Sequence, residues 1–224
     1  MAIVERTVLV VAAEGLEFDG IRKQLGSGTA IAWPGAAFAH EVTRGSVCYW
    51  LVANGPGPRL VKEALAEKKR VQLMVSTGFC GALDPELRVG DIIVTSNLPQ
   101  ASLPFKHGTI HSADRVVVTK EEKRELRNST GASAVDMEAA TVEQKAREWG
   151  IPYLCIRVVS DSASDDMPLD FNQYRDRDGR FSRSRIARAA LSQPFTSIPA
   201  LLRLNKSCRH ASEKLGVFFA NCRF

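Results

Sequence analysis

Val8-Leu-Val-Val-Ala-Ala13 sets the hydrophobic pattern of the chain: six apolar residues in a row with no polar position between them. A short unbroken run of this kind predicts a strand covered on both faces. Leu16 to Leu25 has helical spacing and ends at Gly26-Ser-Gly28. Val47 to Val52 predicts another strand, and Asn54-Gly-Pro-Gly-Pro58 turns into a helix from Leu60 to Lys69. Val71 to Ser76 predicts a third strand, running into a glycine-bearing loop, Thr77-Gly-Phe-Cys-Gly81. Asp91 to Thr95 predicts a fourth, Gly108 to Val118 an extended stretch and Lys120 to Asn128 a helix. Asp136 is placed to cap a helix from Met137 to Trp149, which Gly150 and Pro152 close. Tyr153 to Val159 is then a buried strand, Asp161 to Arg185 a polar loop, and the remainder helical with breaks at Pro194 and Pro199. Buried strands alternating with helices predict an α/β fold: three layers, α/β/α, around a central mixed, mainly parallel sheet.

Composition changes this picture little. The 224 residues, 45% hydrophobic and 25% charged, suit one domain spanning 1–224. The first apolar run is too short for a signal sequence or a membrane span, which leads us to expect a cytoplasmic protein. Five cysteines without a CxxC pair speak against a disulfide framework or structural zinc. His107 and His111 would share one strand face without a third ligand, so no metal is expected. Charge is more informative. The net +5 divides into about +8 from Phe171 onward and −3 before it, which sets 171–224 apart as a basic C-terminal loop and helical extension. Such asymmetry suits an anionic surface, and a solvated helix face explains it equally well.

Ligands of open α/β sheets bind beyond the carboxyl ends of the strands. Here those ends hold Glu14 and Glu17 after the first strand, Gly78 and Phe79 after the third, and Ser160-Asp161 after the last; Asp136-Met137-Glu138 opens the preceding helix. Each has a plain explanation. Glu17 suits a helix first turn, Asp136 a cap, Asp161 a turn, and the glycines a positive φ. Three carboxylates and a glycine loop at one sheet edge point further, to acid–base chemistry on a bound ligand.

Ser76-Thr-Gly-Phe-Cys-Gly-Ala-Leu83 with Val89-Gly-Asp-Ile-Ile-Val94, Ala134-Val-Asp-Met-Glu-Ala-Ala140, and Arg157-Val-Val-Ser-Asp161 together resemble the purine/uridine phosphorylase superfamily. The resemblance implies a nucleoside phosphorylase-like fold and cleavage of a purine N-glycosidic bond without a cofactor. It assigns Asp161 as the acid that protonates N7 of the leaving base, with a carboxyl kept protonated by burial, and Ser160 as the residue orienting it. Glu138 would accept hydrogen bonds from the ribose 2′- and 3′-hydroxyls, Met137 would pack on the sugar, and Val116 would contact the base through its main chain. Asp136, Gly78 and Phe79 fall among the substrate-binding positions. Glu17 matches the carboxylate that activates water in the hydrolytic members, with Glu14 as the alternative base.

Phosphorylases of this superfamily place an arginine and a hydroxyl residue where Ser76 and Phe79 stand. An apolar ring cannot donate to a phosphate dianion, and a carboxylate beside it would be repulsive. Hydrolysis is therefore the expectation. The alternatives are a phosphate-dependent phosphorylase, or a non-catalytic nucleoside-binding protein on the same fold. Relative to the usual nucleosidases the chain lacks about 30 residues, on the order of one helix and its loops, between Val94 and Gly108. With Pro199-Ala-Leu-Leu-Arg-Leu204, this resembles the hopanoid-biosynthesis branch, which implies adenosylhopane, a lipid-linked nucleoside, as a candidate substrate that yields adenine. The resemblance also implies a homodimer. The tail alternates apolar residues (Ile198, Leu201, Leu202, Leu204, Leu215, Val217, Phe218, Phe219) with basic ones, which suits either peripheral contact with an anionic membrane or packing on the domain. No nucleic-acid recognition motif is present.

Overall fold

The apolar runs assemble into the centre of one mixed sheet. A computed structural model describes residues 4–95 and 101–224. Its strands are β1 (Arg6–Ala12), β2 (Thr29–Ala30), β3 (Phe38–Arg44), β4 (Val47–Ala53), β5 (Leu73–Ala82), β6 (Ile92–Val94), β7 (Lys106–His107), β8 (Ile110–Ser112), β9 (Ala134–Asp136) and β10 (Tyr153–Asp161). The helices are α1 (Asp19–Leu25), α2 (Pro58–Ala64), α3 (Lys120–Thr130), α4 (Ala139–Trp149), α5 (Arg183–Ser192) and α6 (Pro194–Ala220). Strand order is β2-β3-β4-β1-β5-β10-β6-β7, with β9 pairing the far end of β5 and β8 pairing β9. The neighbours β4, β1, β5 and β10 are parallel, whereas β3 on β4 and β6 on β10 are antiparallel. This is the mixed, mainly parallel α/β sheet that the pattern predicts.

Alternation explains the unbroken run in β1. Val8, Val10 and Ala12 face a core that includes Ile21 of α1 and Leu215 and Phe218 of α6. Leu9 and Val11 face the opposite core, with Val61 of α2 and Val142 and Ala146 of α4. Both faces of the sheet are thus covered, giving three layers. Helices α1 and α6 meet backbone to backbone: the Gly20 N–H donates to Ser212 Oγ (2.9 Å), and a side chain at Gly20 or Gly216 would strike the other helix.

Several predicted boundaries move. Thr77–Gly81 is not a loop but the second half of β5, because β10 continues to pair with it to the end. The helix expected from Met137 starts at Ala139, and Asp136 ends β9, although its carboxylate still accepts from the Ala139 N–H (2.9 Å). The helix after Pro58 stops at Ala64 rather than Lys69. The extended stretch 108–118 yields only β8, and His107 and His111 fall on separate strands. The hairpin β2–β3 had no counterpart in the pattern. The break at Pro194 stands, as the first-turn proline that starts α6, whereas Pro199 lies inside that helix without ending it. Leu215, Phe218 and Phe219 are core residues, which removes them from any membrane-facing stripe. No described helix is long and apolar enough to cross a membrane. Residues 1–3 of the N-terminal reading, and 96–100 of the shortened Val94–Gly108 connection, lie outside the described residues.

Candidate active site

Beyond β1 the chain enters a short 3-10 turn, Gly15–Phe18, which turns Glu17 back over the sheet edge. Its Oε1 accepts from the Phe79 N–H (2.6 Å) and its Oε2 from the Glu14 N–H (2.8 Å). Gly78, at φ +122°, makes room for it: a side chain there would collide with Glu17 Oε1. Burial raises the Glu17 pKa, and the Phe79 and Glu14 N–H groups offset part of that. A carboxylate held by two backbone donors but stripped of water is suited to take a proton from a bound water.

Glu138 stands at the start of α4. Its Oε1 accepts from the Gly57 N–H (2.8 Å) and its Oε2 from the Met137 N–H (3.3 Å). Burial first, and then the neighbouring Asp136 carboxylate, push its pKa up to about 8, with Arg157 opposing. Asp136 has scaffold partners on both oxygens. Oδ1 accepts from Ser112 Oγ (2.6 Å), and Oδ2 accepts from Arg157 Nε (2.8 Å), Arg157 Nη2 and the Ala139 N–H. Arg157 is 1% exposed and also donates to Ser76 Oγ (2.8 Å) and the Thr77 carbonyl, tying β10, β5 and β9 together beneath the site.

Asp161 closes β10 at 7% exposure. Its Oδ1 accepts from Ser160 Oγ (2.7 Å), and Gly81 leaves it space, since a Cβ there would stand 3.0 Å from Oδ2. Oδ2 also faces Lys123 Nζ at 2.6 Å, an ion pair that the sequence pattern does not show.

These groups share a cavity of about 220 Å³. Of the nine predicted site residues, Glu17, Glu138, Asp161 and Ser160 line it, as do Phe79, Met137, Asp136 and Val116. Gly78 does not line it but seats Glu17, and Glu14 lies outside the lining. The segment after β10 forms the outer wall with Met167 and Phe181. Within that segment Asn172 pairs both ways with Val116: the Val116 N–H donates to Oδ1 (2.9 Å) and Nδ2 donates to the Val116 carbonyl (2.9 Å). Arg180 Nε donates to the Asn54 carbonyl (3.1 Å), and Arg175 Nη2 contacts Met137 Sδ (3.3 Å). Sequence reasoning missed Lys123, Asn172 and the Arg157 brace.

At the positions where phosphorylases hold phosphate, Ser76 is fully buried and accepts from Arg157, whose own charge is matched by Asp136; Phe79 contributes a ring. Among the described residues no group of three or more His, Cys, Asp or Glu is arranged to hold a metal ion.

The model of the phosphorylase superfamily matches residues 96–192. The 5′-methylthioadenosine/S-adenosylhomocysteine nucleosidase of Staphylococcus aureus (strain bovine RF122 / ET3-1) is 24% identical over 168 residues, covering 58% of this chain and 73% of its own. That of Shewanella halifaxensis is 25% identical, covering 53% and 69%. Among solved structures, the Helicobacter pylori enzyme of the same name superposes with a TM-score of 0.70 at 17% identity, over 98% of this chain and 97% of its own. Futalosine hydrolase of Helicobacter pylori also reaches 0.70 at 17%, over 96% of each. The fold of this chain is the one that these nucleosidases share.

Proposed function

We propose that this chain is a nucleosidase that hydrolyses the N-glycosidic bond of an adenosine-type nucleoside and releases adenine. Support comes from the nucleosidases it resembles and, above all, from Glu17: a desolvated carboxylate that lines the cavity and accepts from the N–H of Phe79, a position where the resemblance puts a phosphate-holding residue in phosphorylases. Repulsion between that carboxylate and phosphate favours water as the nucleophile. As the C1′–N9 bond breaks, its electron pair leaves with the base, Asp161 delivers a proton to N7, and Ser160 orients the carboxyl. Glu138 accepts the ribose hydroxyls and Met137 packs on the sugar. Glu17 takes a proton from the water that attacks C1′. Val116 pairs with the base edge once Asn172, whose acceptor and donor stand side by side like those of adenine, gives way.

Phosphorolysis is favoured by one feature, Arg175, a half-buried cation beside Met137 whose Nε has no partner among the described residues. Incubating the protein with adenosine and 5′-methylthioadenosine, with and without phosphate, separates the two. Hydrolysis gives free adenine and the free sugar, ribose or 5-methylthioribose, with or without phosphate; adenine release that requires phosphate and yields the sugar 1-phosphate would replace this reading.

As for the 5′ group, the shortened Val94–Gly108 connection fits a bulky substituent, and we propose adenosylhopane, leaving ribosylhopane. Competition of adenosylhopane with methylthioadenosine tests this, and no inhibition at saturating lipid nucleoside refutes it. Peripheral membrane contact is proposed through the start of α6 and its approach, where Leu191, Phe195 (94% exposed) and Leu202 stand out beside Arg203 and Lys206. Liposome pelleting should weaken with salt, and equal pelleting of the Phe195→Ser/Leu202→Ser variant counts against it. A homodimer is proposed from the superfamily resemblance, and light scattering at a monomer's mass would exclude it.

A further inference from the structure

Lys123 is 1% exposed, and the proposed chemistry gives it no role. Helix α3 carries it inward from an N-terminus fixed by a reciprocal Thr119–Glu122 cap and by the Lys120 N–H donating to Asp166 Oδ1 (2.8 Å). Burying an ammonium is costly unless every proton finds an acceptor. Here three do: Asp161 Oδ2 at 2.6 Å, the Ser162 carbonyl at 2.8 Å and the Asp165 carbonyl at 3.0 Å. Two acceptors are therefore neutral carbonyls, and the third is the carboxylate facing the cavity.

That arrangement allows the proton to move without loss of a hydrogen bond. If Nζ passes one proton to Asp161 Oδ2, the neutral amine keeps two N–H donors for the two carbonyls, and its lone pair accepts from the new carboxyl. No group has to turn in this first transfer, and no buried donor or acceptor is orphaned by it; delivery to the base then requires the Oδ2 hydroxyl to swing from Nζ toward the cavity. A purely structural ion pair would need the same three acceptors; what distinguishes this one is that its carboxylate lines the cavity.

We infer that Lys123 is the proton source behind Asp161: it acts through that carboxylate, as a positioning residue, to supply the proton that departs with the base. The inference rests on the nucleosidase reading. In balance, the Nζ proton crosses to Oδ2, and the carboxyl so formed hands it to N7 as C1′–N9 breaks and its electron pair goes to the base. Water adds hydroxide to C1′ and leaves its own proton on Glu17. Exchange with solvent returns that proton to Lys123, so nucleoside and water become ribose and neutral base.

The test compares a leaving group that needs a proton with one that does not. Lys123→Met should lower kcat on 5′-methylthioadenosine by about 10²-fold or more, with KM within a few-fold. Turnover of 4-nitrophenyl β-D-ribofuranoside, whose phenolate leaves unprotonated, should stay within a few-fold. Equal loss on both substrates, or no loss on either, overturns the inference. Should the single variant fold poorly, Lys123→Met/Asp161→Asn buries no lone charge. On methylthioadenosine it should be no slower than Asp161→Asn, because the two act as one unit; a further 10²-fold loss would refute the relay. If the wild-type protein cleaves neither substrate, the nucleosidase reading itself has failed.

Discussion

The sheet edge that carries Glu17, Glu138 and Asp161 and the segment 162–182 that closes over it face the same cavity but are built differently. At the edge, carboxylates are held by backbone N–H groups and by buried counter-charges, and glycines in β5 leave room for two of them. In the covering segment, contacts are made by side chains from half-buried positions, Asn172 on Val116 and Arg180 on Asn54, and the backbone has only a short 3-10 turn and an isolated bridge. The difference separates two tasks. A pre-organised electrostatic site must not relax when charge develops, whereas a wall that admits a ligand has to move. Substitutions at the edge should therefore act on the chemical step, and those in the cover on binding and release.

The largest effect is expected at Glu17. Glu17→Gln keeps the size but removes the base, and kcat on methylthioadenosine should fall by about 10²- to 10⁴-fold with little change in KM. A loss confined to KM would place Glu17 in binding instead. Next is the brace below the site. Arg157→Met leaves Asp136 buried without a counter-charge and should cost about 3–5 kcal/mol of stability in denaturant unfolding, since breaking one side of a buried pair strands the other charge. A cost under about 1 kcal/mol would show that the sheet edge does not depend on it.

A smaller, pH-dependent effect comes from Glu138. Its carboxyl is raised to about 8 in the unliganded protein, and ribose hydroxyl donors favour the ionised form. Nucleoside affinity should then rise with pH between about 6 and 8, by up to tenfold per unit, with a proton released on binding. Calorimetry in buffers of different ionisation enthalpy reads this directly. The same shift makes the unliganded protein lose stability as pH rises from the ordinary carboxylate value of 4.5 to about 8, because the unfolded chain gives up that proton first. Glu138→Gln should abolish both dependences. The smallest effect is expected in the cover: Asn172→Ala frees the Val116 main chain, and adenine should bind a few-fold more tightly, whereas weaker binding would make Asn172 a ligand contact.

How much could be read in the sequence follows the same division. Val-Asp-Met-Glu-Ala and Val-Val-Ser-Asp161 carry their geometry within a few residues, because a strand end or helix start fixes where the next carboxylate points. Gly78 and Gly81 are legible as glycines with a purpose, and the pattern puts them in a loop; their use, admitting Glu17 and Asp161 beside a continuous strand, depends on residues about 60 and 80 positions away. Lys123 could not be read because a lysine in Lys-Glu-Glu-Lys-Arg-Glu has the composition of a solvated helix, and only the fold turns it inward. The basic excess after Phe171 was visible but not its division. Arg175 and Arg180 pack at the site, whereas Arg203 and Lys206 stand beside exposed apolar residues on α6.

A crystal structure with methylthio-immucillin-A, the ligand seen in the Neisseria meningitidis nucleosidase of the same fold, tests the central claim most directly. The expected result has the base N7 within hydrogen-bond reach of Asp161, the sugar hydroxyls on Glu138, and a water between Glu17 and the anomeric position. A ligand seated outside this cavity, or a Glu17 turned away from the sugar with no water between them, would contradict it.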